Sequence, residues 1–416
     1  MENARSSVPR RGRAAPVPND RRTFMRLAAM AGGTAPFALG AVPPAAAATI
    51  HATVPQRPPI RPPVVVRSPD ADSPGRLTAG NAAGLLVGSW DDSPYSAVGG
   101  IWRAGAVRYL DGSNEPAAVN AAGVVIGDVV THYDRQAFRW ADGNYQLLGF
   151  LGGTGGLGGT GGLGGRRSSA RAISRTGAIV GVSSTDGGEE HAALWWGARP
   201  RDLGTLGGPS STAVAVNAAG HIIGTSTTAG GQQHAVRWSA GTIHDLGTLG
   251  GPSSDAVAVN ERGQVAGSSD TVTGARHAVL WDRGRAIDLG TLPGDTGSSA
   301  IAINGAGQVL VSSFGESYSA FLWQAGRRIP LRVAGGDVEP ADLNDQGIVC
   351  GTATAPRVGG VTHAFRWQTG RLTDLGTLGG AYSGVQAITP AGIILGSATA
   401  ASSPVPQAVF WPAADR

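Results

Sequence analysis

The chain has no lysine, a single cysteine (Cys350) and little charge: 15% of its 416 residues are charged and 6% are aromatic. Each shortage excludes a class of protein. One cysteine closes no intrachain disulfide, so the chain is not a disulfide scaffold. A coiled coil needs far more Glu, Lys and Leu, and a disordered tail needs high net charge, whereas 41% of this chain is hydrophobic. The stretch Leu151 to Gly165, with GGTGGLGGTGG at its centre, invites a phosphate-loop reading, but without lysine the closing Gly-Lys-Ser/Thr is missing. It reads instead as a duplicated linker. Long hydrophobic runs are missing too. Leu27 to Val42 is about sixteen residues broken by Gly32, Gly33 and Pro36, short of the roughly 20 apolar residues of a spanning helix.

The charge that is present is unevenly placed. Residues 1–48 carry seven Arg against Glu2 and Asp20, so the net charge of +4 belongs to this leader. The remainder holds 26 Arg against 27 acidic residues and has no electrostatic reason to seek nucleic acid. The leader has a basic front, the pair Arg21-Arg22 followed by Phe24, a weakly apolar stretch, and Ala45 to Ala48. It resembles a bacterial twin-arginine signal peptide. That resemblance implies export of an already folded chain, cleavage near Ala47 or Ala48, and an extracellular mature protein with no transmembrane segment. Residues 49–63, with Pro55, Pro58, Pro59, Pro62 and Pro63, read as an extended spacer.

From residue 64 to 412 the chain is periodic, leaving 413–416 as a tail. DLGTLGG begins at Asp202, Asp245 and Asp374, with DLGTLPG at Asp288. Trp102, Trp140, Trp195, Trp238, Trp281, Trp323, Trp367 and Trp411 recur mostly 42 to 44 residues apart. N-x-x-G turns at Asn81, Asn120, Asn217, Asn260, Asn304 and Asn344, with Ser174 and Thr389 in the two remaining slots, give the same count. Both markers define eight units of about 43 residues, numbered here 1 to 8 in chain order.

Within unit 4, four short β segments follow one another: Ala213 to Val216, His221 to Gly224, His234 to Trp238 and Ile243 to Leu246. Four antiparallel strands per 40 to 45 residues are the content of one propeller blade. No segment after the leader has a sustained helical period. The recurring block A-x-A-V/I-N-x-x-G, G-x-S/T, H-A-F/V-x-W and D-L-G-T-L-G-G, which includes His363-Ala364-Phe365, resembles the extracellular HAF repeat proteins over roughly residues 76 to 412. The resemblance implies a secreted repeat protein and assigns it no biochemical role.

The expected fold is therefore all-β: a β-propeller of four-stranded repeats closed by an N-terminal strand, with eight blades favoured over seven or an open solenoid. Unit 8 stops at Pro412 without a fourth strand, while Val64 to Val66 is a strand in excess at the other end. Pairing the two would leave no open edge.

The repeats also discount tempting catalysts. His191, His234, His277 and His363 recur once per unit at one strand position, so they do not converge on a metal. The repeated Trp residues are expected in the interfaces between units, and Trp90 and Trp196, outside that slot, are the Trp residues more open to exposure. No nucleophile elbow or metalloprotease motif is present, and no catalytic residue, cofactor or metal is assigned. Function is expected where units differ. The loops between second and third strands of units 1 to 3 are acidic and aromatic, and Asp91, Asp92, Tyr95, Tyr133, Asp134, Glu189 and Glu190 are the candidate ligand-binding residues. The leading expectation is a monomeric, non-enzymatic module for a polysaccharide or protein ligand. The alternative is a propeller-type carbohydrate-active hydrolase or lyase with a carboxylate site on this loop face.

Overall fold

Short runs of small apolar and β-branched residues bounded by turns give each unit its strands. In unit 4 these are Gly207–Val216, Ile222–Thr228, Gln233–Ser239 and Thr242–Asp245, paired antiparallel in chain order. The structure is a computed structural model and describes residues 61–67, 73–93, 96–130, 135–152, 167–333, 336–355 and 361–413. All of these lie in one compact unit, Arg57–Arg416. The expected leader, residues 49–60 of the spacer, Tyr95, Tyr133, Asp134 and residues 153–166 of the Gly-rich stretch lie outside the described residues.

The described residues contain strands and no helix. Units 3, 4, 5 and 6 are separate four-stranded sheets. Units 1 and 2 share the long strand Ala106–Val119, which ends one sheet and begins the next. Units 7 and 8 are joined by one parallel pair, Thr362 with Tyr382. The architecture is a propeller-like array of repeated four-stranded sheets.

Turn chemistry fixes the register within each unit. Asn217 donates its backbone N–H to His221, accepts from Gly220, and uses Oδ1 to accept the His221 N–H at 3.0 Å. Gly220 sits at φ +81°, where a Cβ would be strained. The third and fourth strands are joined by two consecutive residues of positive φ, Ala240 and Gly241, the geometry of a tight hairpin turn. The first strand of unit 4 starts at Gly207 rather than at the expected Ala213. Gly207 pairs with Thr228, and the Ser210 N–H donates to Thr227 Oγ1 at 2.9 Å. The segment that reads as linker is thus held as strand by its partner.

Three devices fasten each sheet to the next. The first is apolar. Trp281, Ala256 and Val265 of unit 5 pack on Ile223 and Ala235 of unit 4, and Trp367, Phe365 and Leu343 of unit 7 pack on Leu310, Ala320 and Leu322 of unit 6. Of the eight repeated Trp residues expected in the interfaces, Trp195, Trp238, Trp281, Trp367 and Trp411 are buried, while Trp102, Trp140 and Trp323 are half-buried against the clusters. The second is a serine. Ser254 Oγ, at the start of unit 5, accepts the N–H of Ala235 in unit 4 at 2.9 Å and donates to the Gly247 carbonyl at 2.8 Å. Ser211 and Ser298 do the same at their own junctions. The third is a ladder of turn asparagines, each donating Nδ2 to the backbone carbonyl of the next turn: Asn81 to Asn120, Asn120 to Ser174, and Asn217 through Asn260, Asn304 and Asn344 to Thr389, at 2.9–3.3 Å. Ser174 and Thr389 lack an amide to pass the ladder on.

The two ends of the array meet. Val64 and Val65 pair antiparallel with Phe410 and Val409, the Val66 N–H donates to the Ala408 carbonyl, and Leu77, Leu86 and Trp90 of unit 1 share a cluster with Leu395, Ala408 and Phe410 of unit 8. This corrects the expectation that Trp90 is more open to exposure. It is 1% exposed, meets Tyr109 edge-on at 5.7 Å, and occupies space that a side chain at Gly75 or Gly100 would fill. Trp196, at 67% exposure, does lie at the surface.

Candidate functional site

Linkers and second-to-third loops lie together on one face. Isolated parallel bridges join Leu206 to Thr228, Leu249 to Thr271 and Leu378 to Ala400, tying the linker that enters units 4, 5 and 8 to that unit's own loop. Variable loops and linkers therefore form one surface, the surface on which a ligand site is expected.

Of the candidates in units 1 to 3, Asp91 is exposed at the end of Leu86–Ser93, and Asp92 belongs to the same strand. Glu189 and Glu190 are exposed, and Glu189 Oε2 accepts the Thr185 hydroxyl at 3.0 Å within its own loop. No hydrogen bond or ion pair among the described residues brings Asp91 to Glu189 or Glu190. The charged groups that do meet here are others. Arg135 lies 2.6 Å from Asp128 and 3.6 Å from Glu115, and Arg76 lies 4.0 Å from Glu115. Asp128 also accepts from the Ser169 hydroxyl at 2.7 Å and the Ala170 N–H at 3.0 Å, linking unit 2 to unit 3. Burial pushes the Asp128 carboxyl up, opposed by Arg135 and the Ser169 hydrogen bond. Its hydrogen-bonding capacity is taken up by units 2 and 3, so the cluster fastens rather than binds.

The histidine series is structural. His191, His234, His277 and His363 each place Nδ1 2.8–2.9 Å from a carboxylate of the Asp eleven residues on, Asp202, Asp245, Asp288 and Asp374. The other oxygen of Asp245 accepts the Gly247 N–H at 2.8 Å, so each pair pins the fourth strand and its linker within one unit. Gln136 fills the histidine slot of unit 2 and donates to the Leu148 carbonyl. Cys350 is buried, and burial with the nearby Asp342 charge pushes its thiol well above the ordinary range, where it is inert.

A cavity of about 670 Å³ lies on the loop face of unit 6. Three segments wall it: Leu292–Thr296 from the entering linker, Gly315–Ser319 from the loop between second and third strands, and Leu331–Val333 with Gly336 and Val338 from the departing linker. Composition shows why it forms here. Ser298, the equivalent of Ser254, follows Asp288 by ten positions, where Ser254 follows Asp245 by nine, and Pro293-Gly-Asp-Thr replaces Gly-Gly-Pro. The departing linker has lost the DLGTLGG pattern altogether. Asp337 Oδ1 accepts the Tyr318 N–H at 3.1 Å and so ties one wall to another.

The lining mixes apolar residues, among them Leu292, Leu331 and Val333, with polar ones. Asp295 Oδ2 is buried and has no hydrogen-bond partner. Tyr318 is 46% exposed. Arg332 and Glu316 are exposed, and among the described residues neither is engaged in an ion pair. Beyond Val338, burial and then the Asp337 charge raise the Glu339 carboxyl, and burial and then Glu339 raise the Tyr382 phenol. Sequence reasoning missed this site. Its signal was the one-residue insertion and the altered linker.

No protein-family model matches the chain, and no curated protein does. Among solved structures, it is similar to a puromycin-hydrolyzing peptidase from Mycobacterium tuberculosis, with 12% identity over 76% of this chain and 55% of that one, at a TM-score of 0.50. TolB from Acinetobacter baumannii matches over 58% of this chain and 61% of its own, with 13% identity and a TM-score of 0.34. The chain thus spans about half the length of the first and three fifths of the second. At this identity the peptidase supports the fold alone, and it agrees with the propeller-like arrangement of sheets.

Proposed function

We propose that the chain is a closed, eight-bladed propeller of the HAF-repeat type, exported by the twin-arginine route, which acts outside the cell as a binding module rather than an enzyme. Closure is supported by the pairing of Val64 and Val65 with the last strand and by the cluster joining unit 1 to unit 8. Among the described residues no helix is long and apolar enough to cross a membrane. One observation carries the binding role: the repeated Ser, Asn and His residues are taken up by fastening, and where the linkers break the pattern, around unit 6, a cavity opens that is lined by exposed Glu316, Tyr318 and Arg332. Hydrogen exchange of the intact chain, incubated in turn with soluble polysaccharides, peptides and divalent cations, tests it. A ligand that slows exchange in residues 292–296 and 315–319 is the expected result. Protection confined to units 1 to 3 would return the site to Asp91, Asp92, Tyr95, Tyr133, Asp134, Glu189 and Glu190.

A second reading is a glycan hydrolase or lyase in which Glu339, exposed on strand Val338–Leu343 with its carboxyl raised by desolvation and then by the Asp337 charge, would serve as the acid. Glycan turnover by the intact chain that is lost in Glu339→Gln would establish it. Turnover retained in that variant would remove Glu339 from the chemistry.

A further inference from the structure

We infer that the unit 6 cavity takes a segment of neutral oligosaccharide, an inference that deepens the binding reading above and rests on it. The lining carries both signs of charge and both kinds of hydrogen-bonding group. Asp295 is half-buried, with Oδ2 sealed off from the cavity and unpartnered, so its other oxygen, Oδ1, is the acceptor left for a ligand donor. Glu316 adds a second acceptor, Arg332 supplies donors, Ser317 supplies a hydroxyl that serves either way, and Thr296 Oγ1, which donates to the Phe314 carbonyl at 3.4 Å, can accept.

A multiply charged anion entering this space meets Asp295 and Glu316, and a multiply charged cation meets Arg332. An uncharged polyol satisfies all three, because each hydroxyl both donates and accepts. Tyr318 provides the remaining element. Nearly half of it is exposed, while its N–H is held by Asp337, so a fixed residue presents an amphipathic ring to the C–H face of a pyranose. The volume of about 670 Å³ lies inside the roughly 300–1,000 Å³ of small-molecule sites and leaves room for more than one sugar ring. The walls come from three segments that different fastenings hold apart: Leu292 by Ser313 Oγ at 3.0 Å, Tyr318 by Asp337, and Leu331 by its pairing with Ala320. The cavity is therefore formed before any ligand arrives, which lowers the ordering cost of binding.

The test titrates the intact chain calorimetrically with cellopentaose, maltopentaose and chitopentaose, and in parallel with hexagalacturonate and tetralysine. The inference expects at least one neutral oligosaccharide to bind, with affinity falling about tenfold or more in Tyr318→Ala and in Asp295→Ala. Trp196→Ala, which removes an exposed aromatic residue outside the cavity, should change affinity by less than about twofold. Melting temperatures of all three variants should match the parent, which separates loss of the site from loss of the fold. Binding of hexagalacturonate or tetralysine alone, still dependent on Tyr318, would overturn the neutral-glycan assignment and leave the cavity as the site. Neutral glycan binding indifferent to both cavity variants would overturn the assignment and the site together. So would the absence of binding by every probe.

Discussion

Changing Ser254 to Ala removes one oxygen and tests how the sheets are held together. Ser254 is fully buried, and its hydroxyl accepts from Ala235 in unit 4 and donates to the Gly247 carbonyl of the linker. The alanine strips partners from one N–H and one C=O in an interface that excludes water, and it brings no replacement. Leaving a buried backbone group unsatisfied costs about 1–3 kcal/mol, so two groups, partly relaxed, amount to about 2–4 kcal/mol. For a cooperative unit of several hundred residues, with an unfolding entropy of about 2.1 cal/mol/K per residue, the melting temperature should fall by about 3–6 °C. The control is Ser253→Ala, one residue earlier and only half-buried. Calorimetry gives the shift, and hydrogen exchange should show the Ala235 amide exchanging faster. If the two variants melt within about 1 °C of each other, the serine is not a fastening and the account of the repeated motif is wrong.

Other expectations follow from the same geometry. Ser174→Asn should supply the missing amide and extend the ladder toward Asn217, raising stability by about 0.5–1.5 kcal/mol in denaturant unfolding; a loss of stability would show that the two turns are not aligned for it. Burial, and then the Asp337 charge, raise the Glu339 carboxyl above its ordinary value of 4.5, so the folded chain keeps a proton that the unfolded chain loses. Its stabilising contribution is therefore complete below pH 4.5 and disappears as pH rises through the folded value, and Glu339→Gln should gain stability over the parent above that window and not below it; a pH-independent difference between the two melting curves would contradict this. Deleting residues 49–67 should remove the partner of the last strand and the buried Val66, whose burial alone is worth about 1.5–3 kcal/mol. Light scattering should then show association through the bared edge of Ser403–Trp411, and a monodisperse truncated chain with the parent's melting temperature would argue against ring closure.

Much of the fold was legible because a repeated sequence displays local physics several times over. Short β runs between turns marked the strands, N-x-x-G marked the turns between first and second strands, and the surplus valines at 64–66 marked the partner of the last strand. What was not legible depends on a neighbour. Nothing in Gly207-Gly-Pro-Ser says that it will be held as strand, because the holding groups, Thr227 and Thr228, lie across the sheet. Trp90 falls outside the tryptophan slot, and its burial is decided by Leu395, Ala408 and Phe410 of unit 8. The second task of the turn asparagines, donating to the next turn, is equally invisible in one unit, since Oδ1 alone accounts for the preference for Asn in that turn.

The same dependence on neighbours explains why the acidic loops of units 1 to 3 drew attention while unit 6 was passed over. Charge is visible in a sequence, but an unspent hydrogen-bonding group is visible only once its neighbours are placed. Around unit 6 the variation is confined to segments between fastenings that are kept. Ser298 still accepts from Ala278 and donates to Gly290, Ser313 still holds Leu292, and Asn304 still donates to Asn344. A loop anchored at both ends by buried hydrogen bonds can change composition without loosening the junctions on either side. A fastened array can therefore carry a site at low cost in stability: the residues that repeat hold the sheets in place, and the residues that break the repeat are free to meet a ligand.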